Sequence, residues 1–158
     1  MFEHIVVALN GSNCAMQALN VALDLAKVKG AKVEICTVVD PMAAMWRISS
    51  GSGEHEIGEA QREADILVNQ AVARARQAGV IAAGHVRAGD PADEITACAV
   101  TTGADAIVMG THGWTGIKHF VMGSVAESVL HSAPCPVLVI RDGAALPHAG
   151  AAVQKAPV

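Results

Sequence analysis

The stretch from Met109 to Leu130 reads MGTHGWTGIKHFVMGSVAESVL and places Gly110, Gly113, Gly116 and Gly123 directly after an apolar run. Glycine is costly wherever backbone must be ordered, so such a run needs a use. One use is close approach. Without a Cβ the chain takes positive φ and brings its N–H groups against a bulky anion. A helix opening near Ser124 adds N–H groups that lack intrahelical partners, at the positive end of its dipole. Each charge-assisted hydrogen bond from such a donor to a phosphate contributes about 1.5–3 kcal/mol. The segment has the chemistry of a phosphate clamp. It also fits a plain connection, because Ser124-Val125-Ala126-Glu127 spells an S-x-x-E capping box and glycines are common turn residues. Local chemistry leaves both readings open.

The elements that would position this stretch follow from periodicity. HIVVAL (His4 to Leu9), KVEICTVV (Lys32 to Val39), VIAAGHV (Val80 to Val86), DAIVMG (Asp105 to Gly110) and PVLVI (Pro136 to Ile140) read as strands, the third weakened by Gly84. Helical spacing joins Ala15, Leu19, Ala22, Leu23 and Ala26, and again Ala60, Ala64, Leu67, Val68, Ala71 and Ala75. Asp90 caps a third helix with Pro91 at its first position and Asp93 and Glu94 at its positive end. A fourth helix runs from about Ser124 to His131. Met42 to Ala60 reads either as a loop or as the approach to the second helix, with Glu54, Glu56 and Glu59 as acidic residues near a helix start. Alternating strands and helices with continuous apolar strands imply an α/β fold, a parallel sheet covered on both faces. Sheets of this kind bind ligands beyond the carboxyl ends of their strands, where strand order reverses. The loops NGSN after the first strand and the glycine stretch after the fourth both belong there.

Composition bounds the partners. The 158 residues suit one domain able to bury roughly 70% of its unfolded surface. With 52% hydrophobic and 16% charged residues the chain is not a disordered one, and with 3% aromatics its core must be aliphatic. A net charge of −4 argues against nucleic-acid or membrane-surface partners, yet one helix terminus still accommodates a small anion. No apolar run approaches the roughly 20 residues of a membrane span and the start lacks a signal-peptide pattern, so a cytoplasmic protein is expected. Cys14, Cys36, Cys98 and Cys135 show no CxxC spacing and read as small hydrophobes in a reducing compartment. The segment from Asp142 to Val158 is rich in Ala, Gly and Pro and is expected to form a mobile tail behind a domain of residues 1–141.

Gly110, Gly113, Gly123 and Ser124 together match G-x2-G-x9-G-S/T, which resembles the ATP-binding signature of the universal stress protein family. HIVVALNGS is similar to that family's opening strand and loop, AGDPADEI to the start of its third helix, and SVAESVLHSAPCPVLVIR to its closing helix and strand. The resemblance covers Met1 to about Arg141. It implies a three-layer Rossmann-like fold of the adenine nucleotide alpha hydrolase type, with five parallel strands in order 3-2-1-4-5, and usually a homodimer. It also implies ATP as ligand, with adenine near the ends of the first two strands and the glycine loop around ribose and phosphates. Carried onto this chain, Ala8, Leu9 and Asn10 lie at the base and ribose end, and Val38 offers backbone contacts to adenine. Met109 and Gly110 line the floor, while His112, Gly113, Gly123, Ser124 and Val125 surround ribose and phosphates.

Two positions depart from the family. Asn10 stands where Asp is usual, so it brings no anionic charge and weakens the case for Mg²⁺ beside ATP. Trp114 stands where a basic residue is common, with Lys118 or His119 as candidate replacements. No residue is an evident catalytic base or nucleophile, and the histidines lack metal-ligand spacing, so slow hydrolysis at most is expected and neither catalytic nor metal residues are assigned. Cys135, between two prolines, is expected to shape the start of the last strand rather than do redox chemistry. A P-loop is absent and NGSN is not the loop of an ATP pyrophosphatase. The remaining alternative is a family member that has lost nucleotide binding and serves as a dimeric interaction module, the dimer forming along the apolar edge strand Pro136 to Ile140.

Overall fold

In the computed structural model, which describes residues 2–42, 55–111 and 122–141, the chain alternates strand and helix throughout. The strands are β1 (His4–Ala8), β2 (Lys32–Val39), β3 (Ala82–Ala88), β4 (Ala106–Gly110) and β5 (Val137–Ile140). Between them lie the helices α1 (Asn13–Lys29), α2 (His55–Gln77), α3 (Pro91–Thr102) and α4 (Ser124–Ser132). All pairings are parallel, in the order β3-β2-β1-β4-β5. The predicted tail 142–158 and most of the segment between β2 and α2 lie outside the described residues. Among the described residues no helix is long and apolar enough to cross a membrane.

The central strand explains the continuous apolar runs. Along β1, Ile5 and Val7 face α1 and α2 together with Leu19, Leu23, Val33, Ile35 and Ala75. Val6 and Ala8 face α3 and α4 with Ile95, Cys98, Ile107 and Val129. Successive strand residues point to opposite faces, so a strand buried on both must be apolar at every position. Helix ends are equally local in origin. Ser12 caps α1 by accepting from Ala15 N–H at 3.2 Å. Asp90 caps α3 by accepting from Ala92 and Asp93 N–H at 2.9 and 3.1 Å, with Pro91 at the first position as its type predicts.

Three sequence readings are corrected. β3 starts at Ala82 rather than Val80 and runs to Ala88. Val80 is buried because its N–H donates to the Ala75 carbonyl at 2.9 Å, closing the end of α2 over the left-handed Gly79. Gly84 does not weaken β3 but admits α2. A Cβ there would collide with Val68 and lie 3.1 Å from Val72 Cγ2. The capping box on Ser124 is not formed. The first helical bond of α4 runs from Glu127 N–H to the Gly123 carbonyl at 3.0 Å, so Gly123 is the cap and Ser124 already stands inside the helix.

Candidate functional site

After β3 the chain returns across the sheet to β4, so strand order reverses between β1 and β4. Their register pairs Val7 with Val108, which sets the ends of the two strands side by side. Ala8 closes β1, and Leu9 just after it donates its N–H to the Cys36 carbonyl at 2.8 Å. β2 continues three residues past its pairing of Cys36 with Ala8, which brings Val38 to the lip of the crevice, half-buried. Met109 is buried and Gly110 ends β4. Met109 therefore lies beside Ala8 in the core.

The first loop is a tight local structure. Asn10 Oδ1 accepts from Ser12 N–H at 3.1 Å and from Ser12 Oγ at 2.7 Å, and Gly11 takes φ 76 between them. This is an Asx turn, which an aspartate would form with the same two donors. The departure from the family at Asn10 thus keeps the turn and removes only its charge.

Long-range contacts fasten the loop to the second half of the crevice. Cys14 Sγ donates to the Ile140 carbonyl at 2.8 Å and lies 3.7 Å from Thr111 Oγ1. Thr111 N–H donates to the same Ile140 carbonyl at 2.9 Å. Gly110 is glycine for this reason, since a Cβ would stand 3.0 Å from three Cys14 atoms. Finally, Gly123 N–H donates to the Thr111 carbonyl at 2.8 Å. The chain leaves the sheet at Thr111 and is bonded back to it at Gly123, where α4 begins with no side chain among the described residues capping it. Ser124 is exposed, and Val125 packs partly against the α3–α4 side of the core.

The structure therefore gathers Ala8, Leu9, Asn10, Met109 and Gly110 at the carboxyl ends of β1 and β4. Val38 flanks them on β2, and Gly123, Ser124 and Val125 follow from the bond to Thr111. His112 and Gly113 lie outside the described residues, as do Trp114, Lys118 and His119. From sequence Cys14 reads only as a small hydrophobe, and Thr111 carries no signal. Nothing in a lone cysteine announces a contact to a carbonyl 126 positions away.

A sequence model of the Universal stress protein family matches residues 1–141. This chain belongs to that family. It is 34% identical to universal stress protein MJ0531 of Methanocaldococcus jannaschii over 141 residues, covering 89% of this chain and 83% of the relative. Among solved structures it is similar to the hypothetical protein MJ0577, with a TM-score of 0.79 and 26% identity over 89% of this chain and 96% of the other. It is also similar to the universal stress protein from Archaeoglobus fulgidus in complex with dAMP, with a TM-score of 0.63 and 27% identity over 89% and 99% of the two chains. The expected fold, a three-layer Rossmann-like sheet in order 3-2-1-4-5, is the one found.

Proposed function

We propose that this universal stress protein binds ATP in the crevice between β1 and β4 and serves as a nucleotide-sensing regulator in the cytoplasm, with slow hydrolysis at most. The bond between Gly123 and Thr111 carries this reading. It ties both ends of the glycine segment to the switch point, where α4 offers N–H groups that no side chain among the described residues caps. The complex of the Archaeoglobus fulgidus relative with dAMP supports an adenine nucleotide as ligand class. In this reading Ala8, Leu9, Asn10 and Val38 meet adenine and ribose, and Met109 and Gly110 form the floor. His112, Gly113, Gly123, Ser124 and Val125 take ribose and phosphates. With Asn10 contributing no charge, Mg²⁺ adds little to affinity.

A homodimer along Pro136 to Ile140 belongs to the same proposal. β5 pairs only with β4 among the described strands, and Leu138 on it is exposed. An apolar edge of this kind calls for cover.

Isothermal titration of ATP into nucleotide-stripped protein, with and without Mg²⁺, tests the site. Micromolar binding is expected, with little response to the metal. Gly113→Ala should lower affinity and leave the fold intact. Absence of binding at millimolar ATP would favour the dimeric interaction module without a nucleotide.

A further inference from the structure

Cys14, in the first turn of α1, is 3% exposed and packs against Gly110 at the end of β4. A cysteine that served only as a small hydrophobe would turn its sulfur to apolar atoms. This one turns it to polar ones. Its Sγ donates to the Ile140 carbonyl at 2.8 Å and lies 3.7 Å from Thr111 Oγ1. Ile140 ends β5, and its carbonyl accepts a second donor, the Thr111 N–H, at 2.9 Å. A carbonyl oxygen has two lone pairs, so this single acceptor joins α1 to the residue that follows β4. Thr111 is itself buried. Cys14 thus holds it by two routes, through the shared carbonyl and at its side chain.

What Thr111 does with its own carbonyl gives this contact its use. That carbonyl accepts the Gly123 N–H at 2.8 Å, and the Gly123 carbonyl accepts the first helical bond of α4, from Glu127 N–H at 3.0 Å. The placement of Thr111 therefore fixes Gly123, and Gly123 fixes where the N–H groups that open α4 point. On the other side, Cys14 stands two residues after Ser12, whose N–H and hydroxyl both donate to Asn10 Oδ1. One thiol thus lies between the Asn10 loop and the start of α4, behind both. A ligand that needs donors from both is held most tightly when their separation is set before it arrives, because ordering them on binding costs affinity.

We propose that Cys14 is a positioning residue for nucleotide binding. Its thiol, through the Ile140 carbonyl and Thr111, holds Gly123 and the start of α4 at the separation from the Asn10 loop that the ligand requires. The role rests on the reading of the crevice as an adenine-nucleotide site. It belongs to the donor capacity of the side chain and not to its bulk. Serine keeps an O–H for the Ile140 carbonyl, whereas alanine leaves that carbonyl with the Thr111 N–H and nothing from α1.

The test compares Cys14→Ser and Cys14→Ala in the full chain. Isothermal titration gives ATP affinity, denaturant unfolding gives global stability, and NMR follows hydrogen exchange of the Gly123 amide in nucleotide-free protein. Cys14→Ala should bind ATP roughly fivefold to tenfold more weakly and exchange the Gly123 amide faster. Cys14→Ser should stay within about twofold of the unsubstituted protein in both. Stability should fall in both variants, because both lose the buried sulfur. A packing role alone would instead lower affinity in parallel with stability, in serine as in alanine, and that result overturns the proposal. Equal ATP affinity in all three proteins overturns it too, as does unchanged Gly123 exchange in Cys14→Ala. Absence of ATP binding by the unsubstituted protein is a different failure, which removes the nucleotide reading and this role with it.

Discussion

Gly123 donates its N–H to the carbonyl of Thr111 across 2.8 Å. Thr111 is held in turn, through the Ile140 carbonyl, to the thiol of Cys14 at the start of α1. One short chain of contacts thus joins the ends of β4 and β5 to the first turns of α1 and α4. The crevice is a product of this junction, and its rigidity can be tested residue by residue.

Gly110→Ala should destabilise the protein by about 1–3 kcal/mol, the usual cost of forcing a methyl into a filled core. The added Cβ would sit 3.0 Å from the backbone carbon, Cβ and Sγ of Cys14. Denaturant unfolding should show the midpoint falling. Cys14→Ala in the same chain should restore only part of the loss, because two of the three crowded atoms remain.

For Ser124 the stability and binding effects should separate. Ser124→Ala should change unfolding free energy by less than about 0.5 kcal/mol, since Gly123 and not Ser124 caps α4. Under the proposed phosphate contact, ATP affinity should fall roughly tenfold, equivalent to about 1.4 kcal/mol. A stability loss near 1 kcal/mol would return Ser124 to a capping role.

Gly84→Ala should be costly because α2 lies against the strand at that point, with Val68 in the way of a Cβ. The expected penalty is about 1–3 kcal/mol. In a Val68→Ala background the same substitution should cost less, which a double-mutant cycle measures as a favourable coupling. Equal penalties in both backgrounds would mean that the contact with Val68 does not set the residue at 84.

Acid should weaken the junction between the starts of β1 and β4. Burial pushes the Asp105 carboxyl up, but hydrogen bonds from the Glu3 and His4 N–H groups outweigh it and hold the value below normal. A depressed folded value stabilises the protein above the unfolded carboxyl pKa of about 3.9 and is lost as pH falls through the lower folded value. Asp105→Asn should lower the melting temperature at neutral pH. It should also flatten the decline measured below about pH 4.

Much of this molecule is local chemistry, and to that extent it can be read from the chain alone. β2 runs from Lys32 to Val39 as its β-branched run predicts, and Asp90 and Pro91 open α3 as their types require. Such signals act over a few residues, so one stretch contains them complete. The glycine spacing from Gly110 to Ser124 belongs here too, and it led to the family that residues 1–141 match. Where local rules compete, reading by type fails. Ser124 satisfies the capping-box pattern, but the first helical bond settles on Gly123, whose own N–H is already held by Thr111.

Tertiary structure decided the rest, because the deciding partners lie far apart in sequence. Val80 reads as strand until its N–H is seen closing the end of α2, and Gly84 reads as weakness until Val68 packs over it. Cys36 and Cys98 are unremarkable apart. They come into one core cluster only through the seating of α3 on the sheet. Periodicity fixes which face a side chain takes, whereas strand order and helix seating determine what waits on that face.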